Sequence, residues 1–242
     1  MSIEEICKKY YLRNYTINED GTVDVDGDVN IVANKGNKLL IRFGNVSGNF
    51  DCEDWDLTSL EGCPVEVGGD FNCTRNNLTT LEGAPKKVGG NFSCSDNKLT
   101  TLEGCPKYIG RNFDCNDNQL TDLKHCPTEV VETFSCMDND LTTLEYCPIK
   151  VGMSFYVVGN KITNVDGFKT KFGSNFYCGD NPIGSIFYDV EEDFLDMFRI
   201  YKVIKGNQIE FKRLKYVMQM FNEHINLDRI EKHYEVIAYL RR

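Results

Sequence analysis

The sequence has no hydrophobic run long enough to cross a membrane, because none approaches about 18 consecutive apolar residues. Residues 1–5 are acidic at positions 4 and 5 and lack the basic and apolar stretches of a secretory signal peptide. We therefore expect a cytoplasmic protein with no membrane partner. In that reducing compartment the 11 cysteines are expected to be buried free thiols rather than disulfide partners.

Basic residues are scarce relative to acidic ones. The chain of 242 residues has 27 Lys and Arg against 37 Asp and Glu, which gives a formal net charge of -10. Since nucleic acids and membrane surfaces are anionic, this balance disfavours both as direct partners. It is compatible with a basic protein partner.

Motifs for catalysis and metal binding are also missing. His125, His224 and His233 show no ligand spacing, and there is no paired Cys-x-x-Cys, Gly-rich phosphate loop or Ser-His-Asp arrangement. Residues 20–28 are rich in Asp and Gly like a calcium loop, but Lys35 stands where such a loop needs a bidentate Glu. We therefore predict a hairpin turn there, and no enzyme activity, catalytic residue, cofactor or metal site in the chain.

Several cysteines are followed two residues later by aspartate, a pairing that would suit a reactive thiol. They are Cys52, Cys94, Cys115, Cys136 and Cys178. All of them occupy the same position of the repeat described next, and no cysteine follows Cys178. We therefore interpret them as small apolar core residues.

The dominant feature of the sequence is a repeat of 21 residues. Each unit contains Phe-x-Cys, Asn, Leu-x-x-Leu, usually Cys-Pro or Ala-Pro, and then an apolar residue that is mostly Val. Units 1 to 7 begin at Phe50, Phe71, Phe92, Phe113, Phe134, Phe155 and Phe176. The Asn positions are Asn76, Asn97, Asn118, Asn139, Asn160 and Asn181, with Trp55 in unit 1. Val157 takes the place of Cys in unit 6.

This order of residues predicts a solenoid. Phe and Cys share a parity, so on a strand both point into the core, and Leu-x-x-Leu turns the chain while burying two more side chains. The Asn side chain can bond backbone groups that the turn leaves without partners, and a stack of such residues gives a ladder. One unit cannot bury its own apolar face, but stacked units can. Seven units spaced about 4.8 Å apart would make a rod roughly 34 Å long.

The repeat resembles that of the leucine-rich-repeat family, whose signature is Leu-x-x-Leu-x-Leu-x-x-Asn-x-Leu; residues 92–99 write it as Phe-Ser-Cys-Ser-Asp-Asn-Lys-Leu. The resemblance covers about residues 27–187. It implies an α/β repeat fold with a parallel concave sheet and an extended convex side, of the short bacterial type. The wording Phe-x-Cys-x-x-Asn-x-Leu-Thr-Thr-Leu-Glu-Gly-Cys-Pro is similar to repeat proteins of large tailed bacteriophages. That similarity implies a bacterial host protein as partner and the host cytoplasm as location.

The two ends of the chain lack the full repeat. Residues 1–26 predict an N-terminal cap, with a helix over residues 3–12 and a hairpin of residues 15–17 and 22–25. Residues 27–187 are the solenoid, in which a degenerate unit precedes unit 1 and residues 35–47 are interpreted as a short insertion. Residues 188–242 have apolar residues at helical spacing, which predicts helices over residues 190–204, 208–222 and 227–240. These helices would form either a cap on the last unit or a second binding module.

The residues that alternate with Phe and Cys are predicted to face outward on the concave sheet. In the first four units they are polar, as Asp114 and Asn116 illustrate. The last three units add Met137, Tyr156, Val158 and Tyr177. Because aromatic residues grouped on a polar face are typical of interface hot spots, we predict that these six residues bind a partner. The alternative is that the C-terminal helices cover the apolar ones.

Two further series of residues interrupt or border the repeat. Beside the Asn positions runs a series of aspartates, Asp54, Asp96, Asp117, Asp138 and Asp180, which we expect to be a solvated rim. At another position Gly62, Gly83 and Gly104 are followed by His125 and Tyr146, which indicates either a local surface feature or sequence drift.

We predict a non-enzymatic protein-binding module. If it is phage-encoded, its partner would be a host protein, such as a component of bacterial immunity that the solenoid blocks. Two alternatives stay open. The acidic solenoid could mimic DNA and block a nucleic-acid-binding protein, although no two phosphate-like rows of carboxylates are evident. An enzyme activity could reside in the C-terminal helices, although they contain no cysteine and their polar residues fit solvent faces.

Overall fold

The computed structural model of the chain describes residues 1–31, 36–186, 189–190, 194–195, 197, 200, 202–205, 208–221 and 235–237. Within these residues the repeat units form about seven turns of a solenoid built mostly from parallel strands, as the repeat predicts. Each full turn contributes one short strand to each of two sides of the solenoid. Within each sheet, the strands of successive units pair with one another, so most residues 21 apart lie side by side.

The first sheet contains the Phe residues of the repeat. Its strands are β3 (Val29–Asn30), β5 (Phe50–Asp51), β7 (Phe71–Asn72), β9 (Phe92–Ser93), β11 (Phe113–Asp114), β13 (Phe134–Ser135), β15 (Phe155–Tyr156), β17 (Phe176–Tyr177) and β18 (Asp189–Val190). All neighbours are parallel except β18, which runs antiparallel to β17. The pairing of β3 with β5 shows that the degenerate unit before unit 1 is stacked in register.

The opposite side, predicted as extended backbone, forms a second parallel sheet. Its strands are β2 (Thr22–Val25), β4 (Arg42–Val46), β6 (Glu66–Val67), β8 (Lys87–Val88) and β10 (Tyr108–Ile109), with β1 (Tyr15–Ile17) antiparallel at the edge. Three more strands continue the series as a separate group, β12 (Glu129–Val130), β14 (Lys150–Val151) and β16 (Lys171–Phe172). The second sheet is therefore interrupted between β10 and β12, whereas the first sheet is continuous.

The core lies between the two sides and is arranged in columns along the solenoid. The seven Phe rings follow one another at centroid distances of 5.0 to 5.7 Å. Cys and Leu residues form the adjacent columns and are almost completely excluded from solvent. The thiols of Cys94 and Cys115 also donate to carbonyl oxygens of the following unit, Asp114 O and Ser135 O, at 3.4 Å. The predicted interior of the solenoid is confirmed.

The predicted asparagine ladder is confirmed as well. In unit 4, Asn118 Nδ2 donates to the carbonyl oxygens of Cys94, Cys115 and Asn116 at 3.1, 3.2 and 2.9 Å. Its Oδ1 accepts from the Leu99 amide at 2.9 Å. The other Asn residues of the series repeat this pattern, so one buried amide links the turn of its own unit to that of the preceding unit.

The N-terminal residues continue the solenoid. Helix α1 (Ile3–Lys9) begins with a capping box between Ser2 and Glu5, and after it the Tyr10 ring packs edge-on against Trp55 at 5.8 Å. Trp55, which stands at the ladder Asn position in unit 1, thus packs against the N-terminal residues. The predicted insertion over residues 35–47 is wrong for residues 36–47, because β4 pairs with both β2 and β6, and Val25, Val46 and Val67 keep the spacing of 21. The pairing with β2 shifts register by one residue between Val23 and Val25.

The C-terminal region differs from the three predicted helices. Residues 194–195, 197 and 200 are helical, but Ile204–Lys205 (β19) and Gln208–Glu210 (β20) form an antiparallel pair. Helix α2 (Phe211–Met220) lies within the predicted second helix. The third helix is wrong at Glu235–Ile237 (β21), which pairs parallel with β20, and the rest of residues 227–240 lies outside the described residues. The β-branched Val and Ile of β21 favour a strand, which short apolar runs do not distinguish from a helix.

In the part of the chain that the structure describes, helices are too short or too polar to cross a membrane.

Candidate interaction surfaces

The six predicted partner-binding residues lie in two adjacent rows on the outer face of the first sheet. Parallel pairing puts Asp114, Ser135, Tyr156 and Tyr177 in one row, one residue from each of units 4 to 7. Two positions further along each strand, Asn116, Met137 and Val158 form the second row. Neighbouring units are about 4.8 Å apart, so the whole set spans roughly 15 Å. All six side chains are half-buried.

Tyr156 and Tyr177 form the most distinctive feature of this face. Their rings are stacked at a centroid distance of 4.5 Å with an angle of only 8° between the planes. The pairing of β15 with β17 sets this geometry, because it aligns the two Cα atoms directly. Stacked rings present one broad apolar surface at little cost in side-chain entropy, a property of residues that anchor protein interfaces. We call Met137, Tyr156, Val158 and Tyr177 the tyrosine face.

Asp114 and Asn116 have a different role in the structure. Asp114 Oδ1 accepts from Ser95 Oγ at 2.7 Å and from the Asn116 amide at 3.1 Å. Asn116 Oδ1 accepts from Ser135 Oγ and from the Met137 amide, both at 2.7 Å. These polar side chains link neighbouring units and hold the strand edge that bears Met137. They border the tyrosine face and use much of their hydrogen-bonding capacity inside the solenoid.

Comparison with protein-family models, curated proteins and solved structures finds no match to this chain. Among the described residues, no group of three or more His, Cys, Asp or Glu side chains is arranged to hold a metal ion.

A second side-chain ladder precedes the Phe positions. Asp28, Asn49, Asp70, Asn91 and Asn112 each accept, through Oδ1, the backbone amide of the equivalent residue in the next unit, at 2.7 to 3.2 Å. The sequence reasoning treated the members from Asn49 onward as outward-facing surface residues. Their spacing of 21 was visible, but only the stacking geometry shows that their oxygens face an amide of the next turn. They are structural residues at the edge of the first sheet.

The predicted aspartate rim has a backbone explanation. Asp54, Arg75, Asp96, Asp117, Asp138 and Asp180 all have φ between 52° and 55°, the left-handed region. Asp tolerates this region better than most residues, so the turn after each first-sheet strand favours it. Partial burial, together with the neighbouring carboxylates of Asp138 and Asp96, raises the pKa of Asp117. The rim is a single row of carboxylates that the turn places close together.

The thiols do not form a reactive site. All eleven cysteines lie in described segments, none forms a disulfide, and ten are buried. Burial raises the pKa of Cys94, Cys115 and Cys136 well above the usual thiol value, with a further contribution from neighbouring cysteines. Burial also raises the pKa of Cys126 to about 12. Since the thiolate is the nucleophile and the metal ligand, these residues are protonated core residues at neutral pH.

The sequence reasoning missed an exposed apolar cluster on the second sheet. Tyr108, Val131, Ile149 and Met153 have exposed fractions of 52, 54, 64 and 52% and come from units 3 to 5. At the equivalent positions most other units have small, polar or charged residues. The outward face of the second sheet was not considered because its extended side was not expected to pair into a sheet.

Three residues near this cluster occupy positions that other units fill with glycine. Val131 stands in the series Gly68, Gly89, Gly110, Gly152 and Gly173. In that series a Cβ atom on each glycine would overlap a backbone carbonyl oxygen of the preceding unit. His125 and Tyr146 stand in the series Gly62, Gly83, Gly104 and Gly167, and they keep its positive φ, at 68° and 64°. These departures were the sequence signal that could have located the surface.

Proposed function

We propose that the protein is a non-enzymatic binding module that recognises another protein through the tyrosine face. The observation that supports this proposal is the parallel stack of Tyr156 and Tyr177 on an otherwise polar sheet. Met137 and Val158 extend the apolar area in the adjacent row. A rigid sheet bearing aromatic residues in fixed register binds with little loss of conformational freedom, which favours recognition of a protein surface.

The resemblance to short leucine-rich repeats of tailed bacteriophages extends this proposal. On that basis the partner is a bacterial host protein in the cytoplasm, and the solenoid acts as an inhibitor of bacterial immunity. The 21-residue unit, its Asn ladder and its buried free thiols support a short repeat protein of a reducing compartment.

The test is affinity capture from bacterial lysate with the full chain and with Tyr156→Ser/Tyr177→Ser. Serine occupies the same column in units 3 and 5, as Ser93 and Ser135, so the variant keeps the fold. We expect a specific host protein to be captured by the wild type and lost by the variant. A photo-crosslinking residue at position 137 should attach to the same protein.

The matched control is Tyr11→Asn, which removes a tyrosine that is 74% exposed at the opposite end of the chain. Asn suits the positive φ of 55° at that position. This control should capture the host protein as the wild type does. Equal capture by the double tyrosine variant would refute the tyrosine face, and the absence of any specific partner would refute the function.

A DNA mimic is the second candidate, and the observation that favours it is the close carboxylate row of Asp96, Asp117 and Asp138. In this case the captured protein would bind nucleic acid, and capture would fall steeply between low and high salt. Salt-independent capture that depends on the two tyrosines would exclude this candidate.

A further inference from the structure

The outer face of the second sheet in units 3 to 5 is distinct from the tyrosine face. We propose that this face is a second docking surface, which takes an acidic protein segment bearing apolar side chains. We call Tyr108, Val131, Ile149 and Met153 the second-sheet cluster. It lies on the opposite sheet from the tyrosine face. Binding at the second-sheet cluster can therefore be tested separately from binding at the tyrosine face.

The second-sheet cluster is compact. Its members come from three consecutive units about 4.8 Å apart and from positions spread over about five residues of one strand and its flank, so they lie within roughly 10 by 13 Å. Each of the four side chains is more than half exposed. Exposed apolar side chains grouped on one rigid face, rather than scattered singly, are characteristic of a binding surface.

The surrounding glycine positions argue against sequence drift. The repeat keeps glycine where a Cβ would strike the preceding unit, yet Val131 projects a branched side chain from such a position. The interruption of the second sheet between β10 and β12 lies at this unit. His125 and Tyr146 project from the other glycine series in units 4 and 5 despite their positive φ. Two side chains are thus held in an unfavourable backbone region, and a third replaces a glycine, within two adjacent units.

The charges around the cluster indicate the chemistry of the occupant. The chain as a whole carries a net charge of -10, but this face exposes Lys107, Arg111 and Lys150. The neighbouring units 2 and 6 add Lys86, Lys87 and Lys171 beside it. In the sheet register Lys87 lies beside Tyr108, and Lys107 and Lys150 adjoin Tyr108 and Ile149 in sequence. Basic residues around an apolar centre complement acidic residues around an apolar anchor.

A protein segment fits this surface better than a nucleic acid. Glu129 and Glu132 lie among the basic residues and would repel a continuous phosphate backbone, whereas a protein segment can place neutral residues opposite them and acidic residues opposite the lysines. Glu129 is paired with Lys150 in the sheet register, so its charge is an integral part of the face. Val131, Ile149 and Met153 are not aromatic, so Tyr108 is the single ring of the cluster on which a base could stack.

The experiment is selection of random peptides displayed against the full chain, followed by affinity measurement with synthetic versions of the enriched peptides. The test variant is Val131→Gly/Ile149→Thr/Met153→Ser, in which each substitution is a residue that another unit has at that position, such as Gly110, Thr128 and Ser174. We expect enriched peptides to combine Asp or Glu with aromatic or aliphatic residues. The variant should bind them at least about tenfold more weakly, which corresponds to ~1.4 kcal/mol.

The controls distinguish binding at the second-sheet cluster from binding at the tyrosine face, and a loss of binding from a loss of folding. Tyr156→Ser/Tyr177→Ser should bind the enriched peptides as tightly as the wild type. Tyr146→Gly should bind them more weakly while melting at or above the temperature of the wild type, because glycine accepts the positive φ there. A loss of binding without a loss of stability cannot be attributed to misfolding.

Five outcomes would overturn the proposal, and four of them come from the peptide and binding measurements. They are the absence of peptide enrichment, enrichment of basic or purely polar peptides, unchanged affinity in the triple variant, and tighter binding of a DNA oligonucleotide than of any enriched peptide. A dimer of the wild type in analytical ultracentrifugation that the triple variant abolishes would also overturn it, since the occupant would then be a second copy of this chain.

Discussion

At the scale of single residues, each turn of the solenoid depends on one buried asparagine. The Asn118 side chain donates to three carbonyl oxygens and accepts from one backbone amide. A single side chain thus supplies hydrogen bonds to backbone groups of the turn that have no partner in a helix or sheet. The sequence predicts this role from the spacing of Asn to Phe-x-Cys. It does not predict the contact with Cys94 of the preceding unit, which depends on how closely the units stack.

Replacement of Asn118 with Leu should lower the free energy of unfolding by about 2–4 kcal/mol, because buried backbone groups would lose their partners. Denaturant unfolding followed by circular dichroism measures the change. The neighbouring Gln119→Ala removes an exposed side chain and should alter stability by less than about 0.5 kcal/mol. Similar stability of Asn118→Leu and the wild type would show that the ladder contributes little.

At the scale of strands, the sequence predicted one sheet well and the other poorly. Phe and Cys alternate with polar residues in the first sheet, so the pattern identifies a strand and its inner face. In the second sheet each strand has one buried residue, such as Val88 or Val130, which is too little to indicate a pairing. The prediction of three C-terminal helices was partly wrong for a related reason. The apolar spacing in β21 and its neighbours is compatible with both a helix and a strand.

The glycine series of Gly68, Gly89, Gly110, Gly152 and Gly173 predicts how substitutions in the second sheet change stability. Gly110→Val should lower stability by about 1–3 kcal/mol, since the new side chain would overlap the Gly89 carbonyl oxygen. Val131→Gly should change stability by less than about 1 kcal/mol, because the pairing of β12 with β10 that glycine permits offsets the greater freedom of glycine in the unfolded chain. Hydrogen exchange should show slower exchange of the β12 amides in Val131→Gly. Equal destabilisation by both variants would contradict this account of the interruption.

At the scale of the whole molecule, a column of Phe rings runs through all seven units, and beside it runs a column of thiols that Val157 interrupts in unit 6. Their burial was predictable from the period. The tyrosine face was predictable from strand parity, but its ring stacking needed the register of β15 and β17. The second-sheet cluster was not predicted, since only a structure shows that Tyr108, Val131 and Met153 share an exposed face.

The buried thiols should make the fold sensitive to alkali. Burial raises the pKa of Cys94, Cys115 and Cys136 in the folded state, so the folded protein keeps protons that the unfolded chain releases above about pH 9. Their contribution to stability is complete below that pH and is lost as pH rises, at about 1.4 kcal/mol per pH unit for each thiol. Melting temperatures measured from pH 8 to about pH 10.5 should therefore fall steeply.

Cys115→Val is the matched variant for this titration, because Val157 already fills the same column in unit 6. It should reduce the slope of stability against pH by about one proton without altering stability at pH 7 by more than about 1.5 kcal/mol. Tyrosine and lysine titrations are common to both proteins and cancel in the comparison. Identical slopes would mean that Cys115 does not keep its proton in the folded state.

The register in both sheets has a consequence for how such a chain can change over time. In units 1 to 3, residues 21 apart are aligned on both sides, so each of these units offers its neighbours nearly the same contact surface. Duplication or loss of one complete unit among units 1 to 3 would lengthen or shorten the rod by a single step and leave every remaining contact intact. Such an exchange would move the tyrosine pair away from the N-terminal hairpin, or towards it, without redesign of either. Recombination of whole units can thus change the distance between the N-terminal hairpin and the tyrosine pair, and so fit the solenoid to partners of different size.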